Sequence, residues 1–344
     1  MTGIALVIIV AIFSVALYLA TTPTGEVFIR EQLEYRLTEI LGQRISIASF
    51  ETNIVSRIQL RGVVLPMEDR GNKQPFLSVV YARADYRLWR LFSHGFSLDL
   101  VRVDSMTVAV LRDSTGFHIP KPREGGKGES IRQPFDFRLY FSHLDIHNSS
   151  FVYNDRVIPL RISTGSFDAT LWRDQGDIYR FRLGTGFWNA GYRERSFSVD
   201  SLSVAGSMTG GKITIEQLNI ALSQLRCSAS GTANFNESPV SFNGQARIQG
   251  NIQSIATIFI DTIPPWLYPQ TGGFAMDVGV TGNAVDPSIT VSTALSDVKL
   301  RDTMLRSAIL EGAYRNRVLT LQQINFNLFE GNIKGIGSVA VDSM

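Results

Sequence analysis

The chain has 344 residues and a formal net charge of +2, with 33 basic and 31 acidic residues. Because the two signs are mixed along the chain, this balance excludes a strongly basic nucleic-acid-binding protein. Hydrophobic residues make up 44% of the sequence, which excludes general disorder, and the single cysteine, Cys227, excludes an intrachain disulfide.

Residues 4–20 form an almost unbroken apolar run without a charged residue. A helix rises about 1.5 Å per residue, so this run reaches roughly 26 Å, close to the lower limit for crossing a bilayer. We therefore predict a transmembrane anchor within residues 1–22, with a cleaved signal peptide as the alternative. The candidate anchor residues are Ile4, Leu6, Ile8, Ile12, Phe13 and Leu17.

An amphipathic helix is predicted within residues 23–42. Its apolar stripe contains Ile29, Leu33, Leu37 and Ile40 or Leu41, and Gly42 gives a C-terminal stop. Polar residues, among them Arg30 and Glu34, occupy the opposite side. Such a helix either lies on a membrane surface or plugs the start of a β-sheet, and we favour the plug.

Residues 43–119 are predicted to be successive strands, since short apolar segments alternate there with turn residues. A glycine-rich stretch, 120–134, is predicted to be a flexible insertion. Its Gly-Gly-Lys-Gly lacks the Ser or Thr that a phosphate-binding loop requires after the Lys.

Strand patterns resume over residues 135–250. A switch in parity near Leu144 places His143, Asp145 and His147 on one strand face. This spacing is compatible with a metal site, but no fourth ligand or supporting shell is evident, so we favour a solvated polar face. We expect no metal and no cofactor.

Residues 251–344 are predicted to contain a short helix, Asn251 to Asp261, and then further strands. Asn251 is the expected helix cap, and Pro264 and Pro265 end the helix. Strand patterns continue almost to Met344 without a capping element, so we expect either a fragment or a chain continued by a partner.

An internal repeat relates residues 201–235 to residues 106 positions later. Apolar residues alternate in both copies, which indicates strands with one apolar face, and the alternation slips at Glu216–Gln217 and again at Gln322–Gln323. An extra residue at each slip predicts a β-bulge. Cys227 corresponds to Ile333, so we expect it to act as a small buried apolar residue. The candidate apolar wall comprises Ile213, Ile215, Leu218, Ile220, Leu222, Leu319, Leu321, Ile324, Phe326 and Leu328.

Several stretches resemble the AsmA-like family of bacterial envelope proteins. The N-terminal anchor, Thr-Pro break and helix ending in Leu-Gly are similar to the family's opening. Residues 98–116 resemble its strand-turn-strand unit ending in Arg-Asp-x-x-Gly, and residues 251–282 its helix, proline and Val-x-Gly signature. Residues 331–337, Gly-Asn-Ile-Lys-Gly-Ile-Gly, resemble its glycine-rich strand.

This resemblance implies an all-β fold: a long curled antiparallel sheet forming an open trough, with the transmembrane helix and two short amphipathic helices. It further implies a single-pass inner-membrane protein whose periplasmic body carries phospholipid to the outer membrane, with an outer-membrane barrel of the TamA/BamA type as a partner. From the residues alone, two sheets could instead bury the apolar face as a closed sandwich. A third alternative is an anchored scaffold or chaperone that pairs its sheet edge with nascent outer-membrane strands. We expect no enzymatic activity, because no catalytic arrangement of residues emerges.

Overall fold

The structure is a computed structural model that describes residues 22–53, 56–67, 74–87, 97–119, 140–193, 195–254, 269–301, 303–328 and 331–340. The chain divides into two compact units. The first contains Met1–Arg173 with Thr185–Phe197, and the second contains Asp174–Gly184 with Ser198–Met344. Both units are built on β-sheet, so the predicted all-β class is confirmed for the described residues.

The first part of the chain contains one long helix and strands of 2 to 17 residues. In order, these are α1 (Pro23–Leu41), β1 (Ser46–Thr52), β2 (Arg57–Leu65), β3 (Leu77–Tyr86), β4 (Ser97–Asp113), β5 (Gly116–Phe117), β6 (Tyr140–Phe141), β7 (His143–Asp155), β8 (Leu160–Thr164), β9 (Phe167–Arg173), β10 (Tyr179–Thr185), β11 (Trp188–Tyr192) and β12 (Arg195–Val199).

The remaining strands have 9 to 14 residues. They are β13 (Ser201–Thr209), β14 (Lys212–Leu222), β15 (Leu225–Asn234), β16 (Ser241–Asn251), β17 (Thr271–Asn283), β18 (Pro287–Leu300), β19 (Thr303–Arg315), β20 (Val318–Leu328) and β21 (Gly331–Ala340).

Helix α1 has the expected ends. The Thr22 hydroxyl accepts a hydrogen bond from the backbone N–H of Gly25 at 3.3 Å, Pro23 occupies the first turn, and Gly42 adopts φ 71°. Leu33, Leu37 and Leu41 pack against the buried cluster of the first strands, so the predicted plug is confirmed. The buried cluster contains Ile45, Ile47, Val63, Leu65 and Val79.

The polar side of α1 also contacts the sheet, along the edge of β1 that β2 does not use. Four side chains spaced four residues apart bond to backbone groups of β1 and of Ile45, the residue directly before it. A helix advances about 6 Å in four residues and a strand about 6.6 Å in two, so the two spacings nearly match. Ile45 N donates to Thr38 Oγ1 at 3.3 Å, Ile47 N to Glu34 Oε1 at 2.6 Å, Arg30 Nη1 to Ala48 O at 3.1 Å and Phe50 N to Glu26 Oε1 at 3.3 Å.

The sheet of the first unit is not antiparallel throughout. Strands β1 to β4 pair antiparallel in sequence order, but β4 then pairs parallel with β6 and β7. The expectation of a purely antiparallel sheet is therefore wrong here. Parallel neighbours require a crossover connection, and the chain between β5 and β6 supplies it. The predicted flexible insertion, 120–134, belongs to this connection and lies outside the described residues.

The second unit contains an antiparallel meander from β13 to β21, in which each strand pairs with the next. The register shifts between Ile215 and Leu218 in β14, and between Leu321 and Ile324 in β20. In each case two residues of one strand oppose one of its neighbour, so both predicted β-bulges are confirmed.

The predicted membrane anchor, including Ile4, Leu6, Ile8, Ile12, Phe13 and Leu17, lies outside the described residues. Among the residues that are described, no helix is long and apolar enough to cross a bilayer. The second predicted helix is described only over 252–254, which are helical. The side chain of Asn251 accepts a hydrogen bond from Gln253 N at 2.9 Å, as expected of its cap.

Candidate functional site

The ten candidate wall residues lie on one face of the second unit's meander. Residues that pair directly across antiparallel strands point to the same face. Ile220 pairs with Leu202 on one side and Cys227 on the other, and Cys227 pairs in turn with Ile248. Because of the bulges, Ile213 and Ile215 remain on this face, as do Leu319 and Leu321 of the second copy.

The same face is apolar across all nine strands of the meander. We call it the apolar wall, and its described paired positions include no charged residue. The ladder joins the two repeat copies without interruption through β16, β17 and β18. The connecting pairs are Ala246 with Val278, Ile248 with Met276, Val278 with Val291, Phe274 with Leu295, Leu295 with Ala308, and Ala308 with Phe326.

Burial along the wall differs between the two ends of the strands. At one end, Leu225, Phe274, Val298, Leu305 and Ala308 are buried. Ile252, directly after β16, packs against the cluster of Val298, Leu305 and Ala308 and so helps to cover this end.

Elsewhere the wall is only half-buried or exposed. Leu319 is 42% exposed, Leu321 37% and Ile333 55%. A small cavity of about 230 Å³ lies here between β18, β19 and β20, lined by Ile289, Leu310 and Tyr314 among others. Ligand sites for whole drug-sized molecules usually exceed about 300 Å³, so this cavity suits part of an apolar molecule.

The opposite face of the meander is polar and carries a larger cavity that the sequence did not predict. The cavity, about 660 Å³, crosses seven strands from β14 to β20. The bulge residues Glu216, Gln217 and Gln322 line its two ends, because a bulge bends its strand. The Arg247 and Asp277 side chains pair within it at 3.2 Å. Of these two cavities in this unit, the larger therefore lies on the polar face and the smaller one on the apolar wall.

Cys227 occupies an apolar position of the wall, as its correspondence with Ile333 predicted, but it is half-buried and not buried as expected. Burial raises the pKa of its thiol. The thiol is therefore protonated at neutral pH and is a poor nucleophile. Cys227 therefore acts as a small apolar side chain of the wall.

The predicted polar face of β7 pairs its histidines with carboxylates. His143 Nε2 lies 2.8 Å from Asp145 Oδ1, and His147 Nδ1 lies 3.6 Å from Asp168 Oδ1. Both imidazole side chains are partly exposed. Within the described ranges, no group of three or more potential ligands is arranged to hold a metal ion.

No protein-family model, curated protein or solved structure matches this chain. The apolar wall has no charged residue at its described paired positions, it continues from strand to strand, and much of it is only partly buried. Such a surface can bind apolar molecules, because removing it from water is favourable.

Proposed function

We propose that this protein is a membrane-anchored periplasmic groove protein that carries phospholipid between the inner and outer membranes on its apolar wall. The single observation that carries the proposal is the uncharged, half-exposed wall across nine consecutive strands. The resemblance to AsmA-like proteins, and among them to TamB, the inner-membrane subunit of the translocation and assembly module, supports the same function.

The energetics favour an acyl chain as the ligand of the wall. Each methylene removed from water contributes about 0.8 kcal/mol. Partial burial of two acyl chains against the wall is therefore favoured over a wall that stays hydrated. Strands lie about 4.8 Å apart, so nine strands give a wall roughly 38 Å wide, longer than a site for one small ligand requires. A lipid can then change position along the wall without meeting a buried charge.

The proposal includes a single-pass anchor formed by residues 4–20. Helix α1 begins at Pro23, directly after this run, and packs against the first strands of the sheet. An anchor here would fix the start of the sheet beside the inner membrane. The N-terminal sequence of the mature protein tests this part, since removal of residues 1–20 would indicate a cleaved signal peptide instead.

The transport proposal is tested by mass spectrometry of lipids that co-purify with the full chain. Ile220→Asp places a charge on the wall, and we expect it to abolish co-purification while circular dichroism stays unchanged. Ala221→Asp is the matched control, because Ala221 pairs with Ser201 and Arg226 on the polar face. Equal lipid content in the two variants, or lipid-free wild-type protein, would reject the proposal.

A second candidate function is an anchored scaffold that assists outer-membrane proteins by strand pairing. The observation in its favour is the exposure of β21, which pairs only with β20 in the part of the chain that the structure describes. Its apolar residues Ile333, Ile336 and Val339 are 55%, 84% and 63% exposed. Free edges of this kind pair readily with other strands. Lipid-free protein that protects an unfolded barrel strand from proteolysis would favour this function.

A further inference from the structure

Three turns of the first unit meet at one end of its strands. β4 and β7 are parallel, so the turn after β4 and the turn after β7 lie at the same end. β8 returns antiparallel from the β7 turn, and β11 pairs antiparallel with β8, so the chain after Tyr192 arrives there as well. Backbone hydrogen bonds join the turns: Arg156 N donates to Arg112 O, and Arg193 N to Pro159 O, both at 2.8 Å.

These turns expose apolar side chains. Phe117 is 50% exposed, Val157 51%, Ile158 47% and Tyr192 41%. The Arg112 guanidinium lies 5.4 Å from the centre of the Phe117 ring, and the Arg193 guanidinium lies 5.3 Å from that of Tyr192. We call this surface the tip patch; its members are Phe117, Val157, Ile158, Tyr192, Arg112, Arg156 and Arg193.

Among the described residues, the turns of the tip patch carry three arginines against two carboxylates, an excess of one positive charge, and both carboxylates bond within the protein. The side chain of Asp155 is only 2% exposed and pairs with Arg112 at 3.1 Å. It also accepts hydrogen bonds from Val157 N, Ile158 N and the hydroxyl of Tyr153. Asp113 accepts from Thr115 and contacts His118 at 2.7 Å. The residues Arg156 and Arg193 are exposed to solvent.

We infer that the tip patch docks on the surface of an anionic lipid bilayer. Aromatic and aliphatic side chains enter the interface, while arginines approach the phosphates with their stems along apolar surface. An open cavity of about 820 Å³ between the turns, lined by Arg112, Arg156 and Thr115, leaves room for lipid headgroups. This docking is independent of whether the apolar wall carries lipid.

The size of the patch favours a bilayer over a protein partner. Specific protein interfaces use about 20–30 residues a side with matched shapes. The tip patch has four exposed apolar residues and three arginines on separate turns, which is far smaller. A fluid bilayer needs no matched shape, and its negative charge attracts the exposed side chains of Arg156 and Arg193.

The experiment uses the full chain held in nanodiscs of zwitterionic lipid, or directly in solution where the chain stays soluble. Protein-free vesicles containing phosphatidylglycerol are added and sedimented, and the co-sedimenting protein is measured. We expect binding to these vesicles and little to phosphatidylcholine vesicles. Combining Arg156→Glu and Arg193→Glu is expected to weaken binding at least about thirtyfold, while Arg226→Glu, an exposed arginine of the second unit, leaves it unchanged.

A spin label at position 158 shows whether the tip patch contacts the bilayer, and it leaves the arginines unchanged. Ile158→Cys is labelled in a Cys227→Ser background, and its collisions with oxygen and with a water-soluble nickel complex are compared. Oxygen collisions should rise relative to nickel collisions with anionic vesicles only. Equal sedimentation with both lipids, a label that stays water-exposed, or protection of the label only by another protein or a second copy would each overturn the proposal.

Discussion

The carboxylate of Glu34 accepts a hydrogen bond from the backbone N–H of Ile47 at 2.6 Å. The Glu34 side chain of α1 therefore occupies the position at which a further strand would hydrogen-bond to β1. Together with Glu26, Arg30 and Thr38, it occupies the free edge of β1, while the leucines of the same helix cover the start of the apolar face. One helix therefore closes both the edge and the face, and a closed edge resists unwanted strand pairing.

Replacing Glu34 tests this closure. We expect Glu34→Ala to lower the free energy of unfolding by about 1–3 kcal/mol, because the Ile47 N–H loses its partner at a partly buried position. Hydrogen exchange at Ile47 should accelerate. Glu31→Ala removes the same charge from an exposed position of α1 and is expected to change stability by less than about 0.5 kcal/mol. Equal effects of the two substitutions would contradict edge closure by Glu34.

The bulge of β14 leads to a prediction about deletions. Deleting Gln217 removes the extra residue and leaves Ile215 and Leu218 opposite Gly231 and Ala229, so the fold should tolerate it. Deleting Asn219 instead forces Gln217 onto the apolar wall and Leu218 onto the polar face. We expect this deletion to lower the free energy of unfolding by about 2–4 kcal/mol more than the first. Denaturant titration measures the difference, and similar losses would show that the bulge does not set the register.

The sequence predicted the faces of the second unit better than the pairing of the first. Period-two alternation and its slips at Glu216 and Gln322 are local, so they determine which side chains share a face. The parallel pairing of β4 with β7 depends on a connection whose composition carries no signal for direction.

Three other features depend on three-dimensional neighbours. Arg30 and Glu34 were predicted as a polar helix side, and only the position of β1 turns them into partners of its edge. The polar cavity is likewise lined by residues of seven strands, although the sequence already marks the bulge at Glu216 and Gln217. The tip patch joins turns more than 70 residues apart in the chain, which no local pattern records.

The alkylation rate of Cys227 reports how well the apolar wall is shielded from solvent. Because burial raises the pKa of its thiol, we expect native protein to react with iodoacetamide at pH 8 at least about tenfold more slowly than unfolded protein. The control is Ser228→Cys in a Cys227→Ser background, since Ser228 is exposed and pairs with Asn219 on the polar face. Bound lipid should slow Cys227 further and leave the control unchanged. Equal alkylation rates at the two positions would place Cys227 outside the wall.

Asp113 gives the protein a specific sensitivity to acid. The hydroxyl and backbone N–H of Thr115 donate to its carboxylate at 2.6 and 2.8 Å, and with His118 nearby they lower the pKa of Asp113 from 3.8 to about 2. A pKa below the unfolded value means that the ionised carboxylate stabilises the folded state above pH 3.8, and that this contribution is lost as the pH falls toward 2.

Asp113→Asn should therefore reduce the loss of stability between about pH 4 and pH 2, which denaturant titration at pH 4.5 and 2.5 measures. Thr115→Val should raise the pKa of Asp113, because it removes the hydroxyl donor, and carboxyl-carbon NMR follows that titration directly. The control is Asp168→Asn, which removes a carboxylate elsewhere in the same unit. An unchanged pH dependence in Asp113→Asn, or an unchanged titration in Thr115→Val, would show that these hydrogen bonds do not hold the carboxylate ionised.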